Sequence, residues 1–169
     1  NVYGRSKAEA ESRVLELHPD ALVVRTSAFF GPWDEYNYVT IALRTLAAGH
    51  PFAAATDLVV SPTYLPDLVN ASLDLLIDGA GGLWHLSNTG AVSWADFALG
   101  AARAVGIHAH TLSRCTSMHL PLKAKRPAYS VLGSGRAALM PSLADALDRY
   151  AALCRARFLP AVKTAADAA

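Results

Sequence analysis

Residues 3–24 read YGRSKAEAESRVLELHPDALVV, and this stretch decides the fold class. Its first part, residues 3–17, is rich in helix-forming residues and places Val14, Leu15 and Leu17 on an apolar side of the predicted helix. Residues 21–24 then form a short, continuous apolar run, which is typical of a parallel strand buried on both faces. A helix that leads into such a strand predicts an α/β fold.

The remainder of the chain repeats this alternation of helical patterns and short apolar runs. Further helices are predicted at residues 36–48, 66–77, 93–105 and 142–155, and strands near 52–54, 58–60, 82–86 and 111–113. Residues 121–135 read as a loop. We therefore expect one domain over residues 1–160, followed by an Ala-rich tail at 161–169 that frays.

Composition excludes several classes of partner. With 169 residues and 53% hydrophobic content, the chain is long and apolar enough for one domain with a core. The 15 basic and 14 acidic residues are interspersed, so no basic face predicts nucleic-acid binding. No apolar run approaches the roughly 20 residues that a membrane-spanning helix needs, so no membrane partner is expected.

The cysteines and histidines argue against two kinds of site. Cys115 and Cys154 are far apart and outside any C-x-x-C motif, which argues against a disulfide framework and fits a reducing cytoplasm. His108 and His110 lack the further ligands that a zinc site needs, and His85 reads as a packed core histidine. We therefore predict a cytoplasmic protein without a metal site.

The most informative chemical feature is the pair Tyr3 and Lys7, which stand four residues apart in the first helix. On a helix such positions share one face, so a phenol and an ammonium can converge on one small-molecule site. The positive charge of Lys7 favours the phenolate form of Tyr3, which suits the pair to acid–base exchange. The alternative is a solvated helix face on which the aromatic ring packs over the lysine stem.

Three further motifs follow this pair along the chain. They are Arg25-Thr26-Ser27, Ser61-Pro62-Thr63-Tyr64 with Asp67, and Arg126-Pro127-Ala128-Tyr129-Ser130. Together with Tyr3 and Lys7, they resemble the carboxyl-terminal part of the dTDP-4-dehydrorhamnose reductase (RmlD-like) family, within the extended short-chain dehydrogenase/reductase superfamily. The resemblance extends from residue 1 to about Tyr150.

The resemblance implies a partial Rossmann-like parallel sheet with helices, plus a small α/β substrate-binding lobe. It also implies NADPH or NADH as cofactor of the intact parent, whose family begins with a Gly-rich turn that holds the pyrophosphate. No such turn occurs here, because Gly79, Gly81 and Gly82 follow a helix and precede a strand, the reverse of the required order. We therefore expect a missing amino-terminal cofactor-binding portion, an exposed sheet edge that favours homo-oligomers, and no turnover from this chain alone.

The same resemblance assigns catalytic and cofactor-binding roles. Tyr3 is the catalytic acid and Lys7 its tuner, and both contact the cofactor together with Thr26. The hydroxyls of Thr26 and Ser27 follow the predicted strand at its carboxyl end, where open α/β sheets bind ligands. The alternative for these two hydroxyls is hydrogen bonding to the local backbone at the strand exit.

The resemblance also implies four residues that bind the nucleotide-sugar substrate, namely Ser27, Ser61, Thr63 and Arg126. The guanidinium of Arg126 suits a diphosphate because its fork donates two parallel hydrogen bonds. As alternatives, Thr63 caps the next helix, and Arg126 belongs to a solvated basic loop. Asp67 is expected to support the start of that helix electrostatically.

The reaction that the resemblance implies is reduction of a dTDP-4-keto-6-deoxy sugar. Two other functions stay open. One is an epimerase or dehydratase of the same superfamily, and the other is a non-catalytic module with a nucleotide-sugar-binding or regulatory role. The family pattern places an aromatic residue, commonly Trp, after Arg-Thr-Ser, whereas this chain has Ala28 followed by Phe29 and Phe30. That departure bears on which sugar is bound.

Overall fold

The structure, a computed structural model, describes residues 1–158. Its helices are α1 (Val2–Leu17), α2 (Tyr38–Ala47), α3 (Leu65–Ile77), α4 (Trp94–Val105) and α5 (Leu143–Phe158), with a short 3-10 helix at Ser117–His119. Every helix that the sequence predicts is present, with ends shifted by a few residues at most. The expected tail at 161–169 and the domain end at 160 lie outside the described residues.

Short strands alternate with these helices. They are β1 (Leu22–Arg25), β2 (Phe29–Phe30), β3 (Phe52–Ala55), β4 (Val59–Val60), β5 (Thr63–Tyr64), β6 (Gly82–His85), β7 (Val92–Ser93), β8 (Leu112–Cys115) and β9 (Tyr129–Ser130). Parallel pairs form between β1 and β6, β2 and β5, and β3 and β8, while β4 lies between antiparallel β7 and parallel β9. This pairing confirms the predicted α/β class with a partial Rossmann-like sheet.

Capping residues set the ends of the helices that enclose the core. The Ser93 hydroxyl accepts a hydrogen bond from the Asp96 amide at 3.1 Å and so starts α4, as predicted. Gly106, with φ at 91°, ends the same helix in a left-handed conformation that glycine adopts without strain. Asn37 caps α2 in the same way, because its side chain accepts from the Thr40 amide at 2.9 Å.

The expectation that β1 is buried on both faces is wrong. Its residues are half-buried or exposed, because within residues 1–158 β1 pairs only with β6 and α1 covers little of it. No residue of α1 is buried: of its apolar side, Leu15 is half-buried, whereas Val14 and Leu17 are 43% and 77% exposed. The first helix and strand are therefore the least enclosed part of the described fold.

The predicted loop at residues 121–135 contains the short strand β9. The Val59 amide donates to the carbonyl of Ala128 at 2.9 Å, and β9 then pairs with β4 in parallel. Nothing in the local composition predicts a strand here. The partner strand, some 70 residues earlier in the chain, provides the pairing.

A cluster of aromatic rings forms the centre of the main core. Phe30 is fully buried, and its ring centroid lies 5.2 Å from that of Tyr64, 5.3 Å from Phe97 and 5.7 Å from Tyr150. Such tilted and edge-on pairs add to the stabilisation from burial. The cluster joins β2 and β5 to α4 and α5. A smaller core between α3 and β6 contains Ala71, Leu75, Leu86 and Met140.

A buried ion pair connects the two cores. Asp67 is only 7% exposed, and its carboxylate accepts hydrogen bonds from Arg149 Nη1 at 2.6 Å and Nη2 at 2.8 Å. Asn88 Nδ2 donates to the same carboxylate at 2.7 Å. Burial by itself raises the pKa of Asp67, but the hydrogen bonds from Arg149 and Asn88 outweigh it and lower that pKa. Asp67 does lie in the first turn of α3, as expected, but its main partners are on α5 and after β6.

Arg149→Leu is expected to lower the free energy of unfolding by about 2–4 kcal/mol, because it leaves the buried Asp67 carboxylate with a single side-chain donor. The range is reduced from that of a fully buried pair, since the Arg149 side chain is 40% exposed. Urea denaturation at pH 7 measures the change. The matched control is Arg155→Leu on the same helix, where the exposed guanidinium donates to the Ala104 carbonyl and forms no ion pair within residues 1–158. An equal decrease in the free energy of unfolding in both variants would contradict the stabilising role of the Asp67–Arg149 ion pair.

Candidate functional site

Helix α1 carries Tyr3 and Lys7 on one face, as their spacing predicts. The Lys7 Nζ lies 5.6 Å from the centroid of the Tyr3 ring. Both side chains are exposed, and Tyr3 is 71% accessible. The phenol and the ammonium are therefore both open to a ligand while they contact each other in a cation–π arrangement.

The hydroxyls of Thr26 and Thr63 meet where β1 and β5 lie close together. Thr26 Oγ1 donates to Thr63 Oγ1 at 3.2 Å, and the Thr63 amide donates to the Ala28 carbonyl at 3.1 Å. The alternative in which Thr63 caps α3 is wrong, because Thr63 lies in β5 and the residue before α3 is Tyr64, which makes no side-chain cap. Thr63 is fully buried, so its hydroxyl binds the Thr26 hydroxyl from the interior of the fold.

Ser61 connects β4 to the segment that follows β9. Its side chain is 1% exposed, and its Oγ accepts a hydrogen bond from the Leu132 amide at 3.0 Å. The Ser130 hydroxyl donates to the Val59 carbonyl at 3.3 Å in the same region. The Ser61 hydroxyl therefore fixes the position of the chain at residues 131–132.

The exit of β1 contains a strained residue. Ala28 has a φ of 45°. A residue with a side chain adopts this left-handed backbone conformation at a cost of about 1 kcal/mol or more. Its neighbour Ser27 is half-buried, and Phe29 is 46% exposed. Backbone strain concentrates at functional sites, so this turn, beside Thr26, is a candidate position for ligand contact.

Arg126 lies in an exposed segment with Lys123 and Lys125. Within residues 1–158 its guanidinium makes no hydrogen bond or ion pair to another side chain. The pairing of β9 with β4 begins three residues later, at Tyr129. The guanidinium is thus available to an anion, as its predicted role requires.

A cleft of about 330 Å³ lies between the loop after β6 and residues 131–140. His85 lines it, and its Nδ1–H donates to the Gly133 carbonyl at 2.7 Å. On the other side, His85 Nε2 lies 3.4 Å from Arg25 Nη1. The prediction of a packed core histidine is wrong, because His85 is half-buried and bridges two polar partners at the edge of the cleft.

The structure brings together only part of the predicted site. Thr26 contacts Thr63, but none of the hydrogen bonds within residues 1–158 joins Tyr3 or Lys7 to Ser61 or Arg126. In the same residues, no group of three or more His, Cys, Asp or Glu side chains is placed to hold a metal ion. None of the described helices has the length and hydropathy to cross a membrane.

Sequence reasoning missed one contact that involves the site helix. Glu11 accepts hydrogen bonds from Arg25 Nε at 2.8 Å and from Nη2 at 2.6 Å. A signal was present, because Glu11 follows Lys7 by four residues and so lies on the same helix face. Arg25, Glu11 and His85 form a polar chain from α1 to the cleft.

Ser61→Ala is expected to loosen the segment after β9, because it leaves the Leu132 amide without its buried acceptor. Amide exchange at residues 131–135 should become about 5–10 times faster, as expected for the loss of roughly 1 kcal/mol. Hydrogen exchange with mass spectrometry measures this. The control is Ser130→Ala, which removes a longer bond and keeps the backbone pairing of β9 with β4. Unchanged exchange in the Ser61 variant would show that this hydroxyl does not fix the segment.

Comparison with known proteins gives the same relationship for most of the chain. Residues 1–144 match the model of the RmlD substrate binding domain. A dTDP-4-dehydrorhamnose reductase of Mycolicibacterium smegmatis is 38% identical over 139 residues, which are 82% of this chain and 42% of that protein. The Mycobacterium tuberculosis protein of the same name is 36% identical over 98% of this chain and 55% of its own length.

A solved structure shows the same fold. The crystal structure of dTDP-4-dehydrorhamnose reductase from Bacillus anthracis in complex with NADP superposes with a TM-score of 0.81 at 30% identity, over 89% of this chain and 54% of that one. The chain thus spans about half the length of the curated relatives it matches. These matches confirm the resemblance seen in the motifs: the chain belongs to the RmlD substrate binding domain family.

Proposed function

We propose that this chain is the carboxyl-terminal, substrate-binding portion of a reductase that uses NADPH or NADH to reduce a dTDP-4-keto-6-deoxy sugar. The observation that carries the proposal is the exposed Tyr3–Lys7 pair within a chain whose residues 1–144 match the family. Several relatives are named dTDP-4-dehydrorhamnose reductases, and the Bacillus anthracis structure contains NADP.

Tyr3 is the proposed proton donor. Tyr3 would give its phenolic proton to the ketone oxygen of the substrate, while a bound nicotinamide would supply the hydride. Lys7 lies one helical turn away and its positive charge stabilises the phenolate that results. The side chains of Tyr3, Lys7 and Thr26 fit the nicotinamide end of such a cofactor. Tyr3 and Lys7 offer exposed hydroxyl and ammonium donors, and the half-buried Thr26 hydroxyl, which donates to Thr63, offers an acceptor.

The substrate diphosphate is assigned to Arg126, whose guanidinium is exposed and free of protein partners within residues 1–158. Ser27 is the proposed contact at the sugar end, beside the strained Ala28. Ser61 and Thr63 are buried, so we propose that they shape the substrate side through the segments they hold.

The remaining portion of the active site is proposed to come from a cofactor-binding segment. Two observations support this: the chain spans about half of its relatives, and its 169 residues contain no Gly-rich turn for a pyrophosphate. The half-buried β1–β6 pair would extend into a larger sheet with that segment, or else associate with a second copy. The free thiols of Cys115 and Cys154 support a reducing, cytoplasmic location.

Tyr3→Phe is expected to reduce turnover at least 100-fold in a chimera that joins this chain to the amino-terminal segment of the Mycolicibacterium smegmatis relative, because the proton donor is lost. Oxidation of NADPH with dTDP-4-keto-6-deoxy sugar, followed at 340 nm, measures it, and binding of NADPH should persist. The control is Tyr36→Phe at a tyrosine that is 86% exposed and outside the proposed site. Wild-type turnover in the Tyr3 variant would exclude its catalytic role, and turnover without net NADPH consumption would favour an epimerase or dehydratase.

The chain by itself is expected to bind dTDP but not NADPH in a calorimetric titration, after circular dichroism shows that it is folded. Arg126→Ala should weaken dTDP binding about 10- to 100-fold, as expected for loss of a charged hydrogen bond to phosphate. Lys123→Ala, which removes the same charge from the same exposed segment, should weaken it less. Equal affinity in the Arg126 variant would exclude this guanidinium as the diphosphate contact.

A further inference from the structure

We propose that Arg25 is a positioning residue for the catalytic pair: by binding Glu11 it holds helix α1, and with it Tyr3 and Lys7, at the carboxyl end of β1. The effect on turnover rests on the proposed function. The effect on the helix rests only on the geometry of the described residues. The two effects can therefore be measured separately.

Within residues 1–158, few contacts join helix α1 to the other elements. None of its residues is buried, and the apolar Leu17 is 77% exposed. Among residues 1–158, the hydrogen bonds between Arg25 and Glu11 are the only side-chain hydrogen bonds that lead from α1 to another element. A helix with so few buried contacts opens locally at low free-energy cost, so this one contact has a large share in its orientation.

The contact has the geometry that fixes an orientation. Arg25 Nε and Nη2 donate two parallel hydrogen bonds, at 2.8 and 2.6 Å, to the two carboxylate oxygens of Glu11. A two-point contact restricts rotation as well as distance. These hydrogen bonds also lower the pKa of Glu11, against the opposing effect of its partial burial, so the carboxylate is charged at neutral pH.

Glu11 lies on the same face of α1 as Tyr3 and Lys7. It follows Lys7 by four residues and Tyr3 by eight, so the three side chains lie along one face of α1. The side chain of Glu11 is 20% exposed, whereas Tyr3 is 71% exposed. The helix therefore contacts the fold at Glu11 and presents Tyr3 and Lys7 to solvent, two turns and one turn earlier.

All three nitrogens of the Arg25 guanidinium are directed at protein partners. Nε and Nη2 bind Glu11, and Nη1 lies 3.4 Å from His85 Nε2. Because a guanidinium only donates, His85 accepts at Nε2 and keeps its proton on Nδ1, which donates to the Gly133 carbonyl at 2.7 Å. Arg25 thus connects α1 to the loop that lines the cleft, and three of its five N–H donors are used in doing so. This arrangement favours a positioning role over direct binding of a phosphate.

Hydrogen exchange on this chain tests the anchoring. Arg25→Gln and Glu11→Gln should each make the amides of α1 exchange about fivefold faster, as expected for an ion pair worth roughly 1 kcal/mol, while the β1–β6 amides stay unchanged. The double variant Glu11→Arg with Arg25→Glu should restore slow exchange. The matched control is Arg13→Gln, since Arg13 pairs with Glu9 inside the same helix. Identical exchange in Arg25→Gln and the parent chain would overturn the proposal.

Kinetics of the chimeric reductase test the consequence for catalysis. Arg25→Gln should lower kcat at least tenfold and change the KM for the nucleotide sugar less than twofold, because Arg25 acts through the placement of Tyr3. The charge-swapped pair should recover most of the kcat. A raised KM with unchanged kcat would overturn the proposal, since it would mean that Arg25 binds substrate. If the unsubstituted chimera has no turnover, the proposed function fails, while hydrogen exchange still decides whether Arg25 anchors α1.

Discussion

A buried carboxylate needs a partner, and the pairing of Asp67 with Arg149, 82 residues later, is the constraint on which the described fold depends. An unpaired charge at that depth would cost several kcal/mol, so α5 is held against the start of α3. Asn88 extends the network, because it donates to Asp67 and accepts from the Tyr64 amide at 2.7 Å. Since the pKa of Asp67 is lowered, this contribution to stability is present above its ordinary value of 3.8 and is lost as the pH falls through the lowered pKa.

The network also explains why the site region behind α1 is rigid. Tyr64 follows Thr63, so the hydrogen bond from its amide to Asn88 fixes β5, and Thr63 then holds the hydroxyl of Thr26. Ser61, two residues before Thr63, fixes the segment after β9. The side chains of Asn88, Thr63 and Thr26, with the Tyr64 amide, thus connect the ion pair to the exit of β1. Packing and hydrogen bonding here serve placement, and the exposed groups next to them are left for ligands.

Periodicity was enough to predict the helices, because an apolar face and its caps are local properties. Ser93 and Gly106 bound α4 as predicted, and the spacing of Tyr3 and Lys7 correctly placed them on one face. What failed depends on distant partners. Threonine is a common helix cap, but the hydroxyl of Thr63 is bound to that of Thr26, 37 residues earlier. Likewise, β9 forms only because β4 lies beside it. No local pattern contains that information.

The site divides into a rigid part and a loosely held part, and the proposed chemistry needs both. Proton transfer requires the Tyr3 hydroxyl within hydrogen-bonding distance of the substrate carbonyl, a tolerance of a few tenths of an ångström. A helix without a buried residue does not supply that precision through packing. A two-point ion pair at Glu11 fixes the orientation of the helix, and Tyr3 lies eight residues before it in the sequence. Contacts from the proposed cofactor-binding segment to the exposed face of α1 would complete the placement of Tyr3 for the proposed reduction.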